Sequence, residues 1–179
     1  MKKILLLGLA GCLLTTSMYL YTQDSTISTE TALTKVEQYI ERHHISNVKT
    51  VFDFFVDLIS VPLTPKGCKD GTFKGESILD DYKYKHVISL TIKDEKIVSI
   101  DYDEVKKDGT GKRNNKKYCE EMKKGTGVSP AEAYPQYEQR LLEHQDISKV
   151  DAVSGASYSL YRFRTSAIRA LIEAQEDKS

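Results

Sequence analysis

The sequence predicts an α+β protein: a small antiparallel sheet covered by C-terminal helices, with a preceding helical segment and an N-terminal membrane anchor. Two β-branched runs, residues 87–92 and 97–105, are separated by Lys93-Asp94-Glu95-Lys96, which indicates a hairpin. Apolar residues at helical spacing dominate the last third of the chain. An apolar run follows Met1-Lys2-Lys3 at the start of the chain.

The first 22 residues read as a membrane anchor or a signal segment. Lys2 and Lys3 place the N-terminus in the cytoplasm, and the apolar run that follows is near the lower length limit of a spanning helix. A cleaved signal peptide is the competing interpretation. Leu9-Ala10-Gly11-Cys12 also matches the box before a lipidated cysteine in bacterial lipoproteins, but apolar residues continue past Cys12, which favours an uncleaved anchor. Each of these interpretations except full cleavage tethers the chain to the outer face of the cell membrane.

Residues 23–31 are polar and form a predicted tether, and residues 32–65 form a predicted helical segment. Helical spacing is clear in residues 32–43, whereas the aromatic and β-branched content of residues 48–59 suits a buried helix or a strand. These helices either pack on the domain or offer a docking surface to a membrane partner. The apolar residues that support the first helix are Leu33, Val36, Tyr39 and Ile40.

Charge and length exclude some classes of function. The 179 residues include 26 basic and 26 acidic side chains, and this balance argues against nucleic acid as a partner and against a polybasic membrane patch. Without the N-terminal segment, about one domain of chain remains, which is long enough to bury a core without disulfide bonds.

The sheet and helix patterns define a candidate core. Ile88, Leu90 and Ile92 share one face of the first hairpin strand, and Ile100 and Tyr102 are expected on the same face of the second. Residues 106–117 read as a polar, basic loop. The apolar side of the last helix, predicted from about Ser159 to Ala174, consists of Leu160, Phe163, Ala167, Leu171 and Ala174.

Two details of the helices can be tested directly. Ser129-Pro130-Ala131-Glu132 has the capping serine, the first-turn proline and the glutamate of a helix start, and Pro135 should limit or kink the first turn. Arg162, Arg164 and Arg169 are expected to project away from the apolar side of the last helix.

The segment Asp151-Ala152-Val153-Ser154-Gly155-Ala156-Ser157 combines small residues, a terminal hydroxyl and a following helix. Small side chains let a ligand approach the backbone closely, and a helix N-terminus offers free N–H groups that suit a phosphate. A plain loop feeding a helix cap would have the same composition, because serine is a preferred cap.

The segment resembles the flavinylation motif of the extracytoplasmic FMN-binding domain family, in which Asp and a short spacer precede Ser-Gly-Ala and a Thr or Ser. The resemblance extends in order from about Asp70 to about Leu171. Asp70-Gly71-Thr72-Phe73-Lys74-Gly75 resembles the opening of the family's sheet, the hairpin resembles its central hairpin, and Tyr118-Cys119-Glu120-Glu121-Met122 resembles its Tyr-x-x-x-Met segment.

This resemblance implies an FMN-binding domain over residues 66–179. A flavin transferase would link FMN through its phosphate to Ser157, and Asp151, Ser154, Gly155 and Ala156 would complete the motif. The family's acceptor is more often Thr, and some relatives hold FMN without a covalent bond or have lost it. Arg162 is close enough to the helix start to neutralise the phosphate, although a solvated arginine is the simpler interpretation.

The implied role is that of an electron carrier rather than a self-contained enzyme, and no catalytic residue is assigned. Electrons would arrive from a membrane redox enzyme or quinone-linked donor and leave to an external acceptor. The alternatives are a flavin-bearing subunit of an ion-pumping membrane redox complex and a non-redox surface protein with a degenerate FMN-binding fold. The candidates to pack near the flavin ring, or simply in the core, are Tyr118, Met122 and Tyr102.

Cysteine and histidine usage gives two further expectations. Cys68 and Cys119 can pair in an oxidising compartment, or they are two unrelated thiols. No tight spacing of Cys and His indicates a metal site, since His43 and His44 form an isolated pair.

Overall fold

A computed structural model describes residues 28–43, 56 and 59–175. The predicted anchor, Cys12, His44 and most of residues 48–59 lie outside the described residues. Within the described part of the chain, no helix is long and apolar enough to cross a membrane. The elements are α1 (Thr29–His43), β1 (Gly71–Glu76), β2 (Tyr84–Lys93), β3 (Lys96–Lys106), α2 (Lys116–Thr126), α3 (Pro130–His144), a short 3-10 helix (Ile147–Lys149) and α4 (Ser157–Gln175).

The strands form an antiparallel sheet in the order β1-β2-β3, which confirms the predicted hairpin. Asp94 and Glu95, between β2 and β3, both have a positive φ near +50°, as a tight two-residue hairpin turn requires. Ile88 pairs with Tyr102 and Leu90 with Ile100, so the expected apolar residues do share one face. This face is the buried one.

Helix α4 packs across β1 and β2, and α3 packs on β3. The approach of α4 to β1 is so close that a Cβ atom at Gly75 would overlap the carbonyl oxygen of Ser166. Glycine at this position therefore permits the packing of helix on sheet. The expected apolar residues of α4 are all in the core, namely Leu160, Phe163, Ala167, Leu171 and Ala174.

Helix α1 belongs to the same core. Leu33, Val36 and Ile40 are buried together with the sheet residues, which confirms packing for this helix. Helix α1 begins at Thr29, so residues 29–31 of the predicted tether belong to the helix. The hydroxyl of Ser28 accepts a hydrogen bond from the N–H of Thr31 at 3.2 Å, which caps the helix.

Helix α3 begins as its sequence predicts. The carboxylate of Glu132 accepts hydrogen bonds from the N–H of Ser129 at 2.9 Å and from its hydroxyl at 2.8 Å. The expectation that Pro135 limits the helix is wrong, because α3 continues through it to His144. Pro135 lies close to the helix N-terminus, where few of the N–H to carbonyl bonds that proline removes have yet formed.

Candidate functional site

The motif segment forms the loop between the 3-10 helix and α4. Two side chains of α3 fix its backbone: the Tyr137 hydroxyl donates to the carbonyl oxygen of Ala156 at 2.6 Å, and an Arg140 nitrogen donates to that of Asp151, also at 2.6 Å. The loop is therefore held at both ends, while the side chains of Asp151 and Ser154 are exposed.

Gly155 explains why the motif needs a glycine. Its φ is +80°, in the left-handed region that side-chain-bearing residues rarely adopt. A Cβ atom would also overlap the carbonyl oxygen of Thr126, at the end of α2, and would come within 3.1 Å of a methyl group of Val128. Next to it, Ala156 is buried. The small residues therefore let the loop pass directly over the α2–α3 connection.

Ser157 is the first residue of α4 and is exposed. The helix starts two residues earlier than the apolar pattern predicted, so the candidate acceptor hydroxyl lies at the helix N-terminus itself. The positive end of the dipole of this 19-residue helix favours a negatively charged group at that position. The position suits a phosphate ester.

Glu104 lies beneath the first turn of α4 and is buried. Its carboxylate accepts hydrogen bonds from the hydroxyls of Ser159 at 2.7 Å and Tyr134 at 2.5 Å, and it pairs with the Lys112 ammonium. Burial alone would raise the pKa of Glu104, but the Lys112 charge and the hydrogen bonds from Lys112 and Tyr134 hold it below its ordinary value. The motif helix is thus joined to β3 through a buried carboxylate.

His86 and Tyr102 extend this buried network to the middle of the sheet. The Nδ1 atom of His86 is 2.5 Å from the Tyr102 hydroxyl, and Nε2 is 3.4 Å from Glu104. Burial lowers the pKa of His86 to about 3, although the nearby Glu104 charge opposes this shift, so the imidazole is neutral at neutral pH. The hydroxyl of Tyr102, with burial as the main cause, has a pKa well above its ordinary value.

This network brings together side chains that could ligate a metal, which the sequence spacing did not indicate. Asp80, His86 and Glu104 each offer one ligand atom, and the three atoms lie within 4.8 Å of one another. Both carboxylates already face a cation: Lys112 at Glu104 and Arg162 at Asp80. The residues come from the β1–β2 loop, β2 and β3, so only the folded sheet places them together.

Arg162 does not project into solvent as expected. It is buried and pairs with the carboxylates of Glu41 and Asp80, the latter at 3.4 Å. Its nitrogens also donate to the hydroxyls of Tyr158 and Tyr161 at 2.9 and 2.8 Å. The expectation of a solvated Arg162 is therefore wrong. Helix α1 and the β1–β2 loop cover the polar side of α4 on which Arg162 lies.

The other two arginines of α4 are also engaged. Arg164 is buried and donates to the carbonyl oxygens of Ser148 and Val150 at 2.9 and 2.7 Å. Arg169 pairs with Glu37 at 2.7 Å and with Glu30 at 2.5 Å, both on α1. The three arginines therefore fasten α4 to its neighbours.

The residues considered for the flavin ring differ in access. Tyr102 is fully buried, with Tyr134 and Phe163 in edge contact, and so belongs to the core. Tyr118 and Met122 are partly buried on α2, and the Lys112 ammonium lies 5.0 Å from the centre of the Tyr118 ring. Tyr102 is therefore not accessible to a bound flavin ring.

Cys68 and Cys119 are free thiols, which is the second of the two alternatives that the sequence left open. Cys68 lies before β1, whose first residue pairs with Ile92, whereas Cys119 contacts the carbonyl oxygen of Lys112 near the far end of β3. The two cysteines therefore lie near opposite ends of the hairpin. A disulfide requires Cα atoms within about 7 Å.

An open pocket of about 360 Å³ lies away from the motif, beside the C-terminal half of α4. Charged side chains of both signs dominate its lining. The lining residues are Glu30, Lys74, Gly75, Glu76, Arg169, Ile172 and Glu173.

Comparison with known proteins gives a few matches. No protein-family model matches the chain. It is 29% identical over 110 residues to a protein described as a 15 kDa lipoprotein of Treponema pallidum, covering 62% of this chain and 75% of the lipoprotein.

Two solved structures are similar. The crystal structure of the CPE2226 protein from Clostridium perfringens matches with a TM-score of 0.58 and 35% identity, over 62% of this chain and 92% of that protein. A solution structure of a Clostridium thermocellum protein matches with a TM-score of 0.40 and 28% identity, over 60% of this chain and 93% of the other. The chain therefore shares the fold of the CPE2226 protein.

Proposed function

We propose that this protein is an extracytoplasmic flavoprotein that carries FMN on Ser157 and relays electrons. The observation that carries the proposal is the exposed hydroxyl at the first residue of α4, directly after a loop that only a glycine at position 155 allows. This arrangement offers a nucleophilic oxygen where a phosphate is electrostatically favoured. The resemblance of the segment to the flavinylation motif supplies the identity of the group.

The chemistry would belong to the flavin. FMN supplies the redox reaction when bound, and the protein's residues hold its phosphate and set its surroundings. Ser157 would accept the FMN phosphate from a flavin transferase, the N–H groups of the first α4 turn would face that phosphate, and Asp151 would belong to the sequence that the transferase reads. The buried Glu104 network anchors the first turn through Ser159, so the acceptor is held in place.

Tethering at the outer face of the membrane is part of the proposal. The N-terminal sequence supports it, and so does the similarity to a protein described as a lipoprotein. That relative gives lipidation at Cys12 more weight than sequence pattern alone, alongside an uncleaved anchor. A membrane redox enzyme or quinone-linked donor would then supply the electrons.

The decisive measurement is the intact mass of the full chain produced with and without an active flavin transferase. We expect a gain of one FMN phosphoester with the transferase and a yellow protein. Colourless, unmodified protein would reject the flavin role in favour of a non-redox surface protein. Co-purification of the yellow protein with integral membrane subunits would instead identify a subunit of an ion-pumping complex.

A further inference from the structure

An aromatic side chain lies next to the candidate acceptor. Tyr158 follows Ser157 directly in the first turn of α4, and 46% of its surface is exposed. It is one of five large apolar or aromatic residues that are exposed in the described part of the chain. An accessible aromatic ring therefore lies directly beside the proposed attachment point.

The orientation of this ring is fixed. The Tyr158 hydroxyl donates to Glu41 at 2.9 Å and accepts from Arg162, also at 2.9 Å. The Arg162 guanidinium lies 4.9 Å from the ring centre, and Tyr161 makes an edge contact at 5.7 Å. These contacts hold the inner side of the ring and leave the remaining surface to solvent.

The charged groups beneath the ring are buried, and they comprise two carboxylates and one cation. Arg162 faces the two carboxylates of Glu41 and Asp80, and all three side chains are buried. The accessible surface above these groups is that of the Tyr158 side chain, whose ring carries no charge of its own. The loop that places Asp80 also carries two exposed side chains, Leu79 and Tyr82, which add apolar surface on that side of the molecule.

We infer that Tyr158 is the stacking platform for the isoalloxazine ring of FMN carried by Ser157. This inference rests on the proposed function and adds the residue that positions the ring. Aromatic rings favour offset stacking at close range. Because Glu41 and Arg162 have already fixed the Tyr158 ring, little conformational entropy is lost when a second ring settles on it. Tyr102 is sealed in the core and cannot serve in this way.

The test uses the full-length protein made with the flavin transferase. Intact mass first establishes that the wild type and each variant carry one FMN, and the fluorescence and visible circular dichroism of the flavin are then compared at equal flavin concentration. A tyrosine in van der Waals contact quenches flavin emission by donating an electron to the excited ring, and a fixed ring acquires a dichroic signal. Tyr158→Ala should raise the emission severalfold and reduce the dichroism to that of free FMN.

Two variants sharpen the result. Tyr158→Phe keeps an aromatic face but is a poor electron donor, so it should raise the emission while retaining most of the dichroism. Leu142→Ala removes an exposed apolar side chain from α3 and should change neither signal. If Tyr158→Ala is not modified or not stably folded, Tyr158→Leu keeps the volume without the aromatic face and must show the same rise in emission.

The outcomes separate the two ideas. Flavinylated wild type with emission and dichroism unchanged in Tyr158→Ala or Tyr158→Leu would overturn the platform and leave the flavin role intact. Wild type without flavin would overturn the proposed function and the platform with it.

Discussion

The hydroxyl of Tyr137 on α3 donates a 2.6 Å hydrogen bond to the carbonyl oxygen of Ala156, the residue directly before Ser157. The same carbonyl also accepts from the N–H of Ser159 at 3.1 Å. The motif loop is therefore fixed by a residue that is not part of the motif. Burial is the main reason that the pKa of Tyr137 rises to about 12, so the hydroxyl keeps its proton.

Tyr137→Phe should lower the free energy of unfolding by about 1 kcal/mol, the usual net value of one hydrogen bond, because Ala156 keeps its second donor. Denaturant titration measures the change. Tyr82→Phe removes the hydroxyl of a tyrosine that is 73% exposed and should stay within about 0.5 kcal/mol of wild type. An equal loss in both variants would show that the Tyr137 bond has no special role.

Gly155→Ala should destabilise the protein more than Gly109→Ala. Both glycines have a φ near +80°, so each alanine meets a backbone strain of roughly 1–3 kcal/mol. Only at Gly155 does the new Cβ overlap a neighbour, the Thr126 carbonyl; nothing lies within 4 Å at Gly109. Thermal unfolding of the pair isolates the steric contribution, and equal melting temperatures would show that the loop moves aside freely.

Ser157→Ala should remove covalent flavin, whereas Ser157→Thr should retain it. The exposed hydroxyl is expected to change the free energy of unfolding by no more than about 0.5 kcal/mol. Mass spectrometry of the variants made with the transferase gives the flavin content. Ser99→Ala is the matched control, since it removes an exposed serine hydroxyl outside the motif and should leave the flavin content unchanged. Peptide mapping that placed the flavin on Ser154 or Ser159 would show that the acceptor is misassigned.

Local patterns were enough to predict the hairpin and the start of α3. The alternation of Ile88, Leu90 and Ile92 and the capping pair Ser129 and Glu132 depend on residues close together in the chain. For Gly155 the sequence predicted a close approach of a ligand, whereas the structure shows a close approach of the Thr126 carbonyl oxygen.

Long-range electrostatics could not be predicted in this way. Helical periodicity shows only that Arg162 is not on the apolar side of α4, so the side chain was expected in solvent. Its carboxylate partners, Glu41 and Asp80, come from two other elements of the fold. The buried group around Glu104 was missed for the same reason. One sequence signal could have indicated this group. His86 is a polar residue at an inward-facing position of β2, where an apolar residue would be expected.

Labelling of the cysteines should proceed at two different rates. Cys119 is half-buried and should react with an alkylating reagent in the folded protein. Cys68 is buried, and burial together with the Glu95 charge raises the pKa of its thiol, so its reactive thiolate is scarce. Mass mapping of labelled peptides distinguishes both from Cys12. Protection of both thiols that is lost only on reduction would show that the disulfide forms after all.

The stability of the protein should fall as the pH drops from 6.5 toward 4.5, mainly because of His86. The folded-state pKa of His86 is about 3 because the ring is buried, against 6.5 for the free side chain, so the unfolded state binds the proton first. The stabilisation is complete above pH 6.5 and decreases below it, with a slope of at most about 1.4 kcal/mol per pH unit for one proton. The pKa of Glu104 is lowered from its ordinary value of 4.5, so its protonation adds a second loss of stability only below about pH 4.5. Urea titrations at several pH values measure the slope between pH 6.5 and 4.5.

His86→Gln should flatten this slope, and His144→Gln, which removes an exposed histidine from α3, should not. If the slope persists in His86→Gln, another group is responsible and the buried neutral histidine is not what makes the fold sensitive to acid.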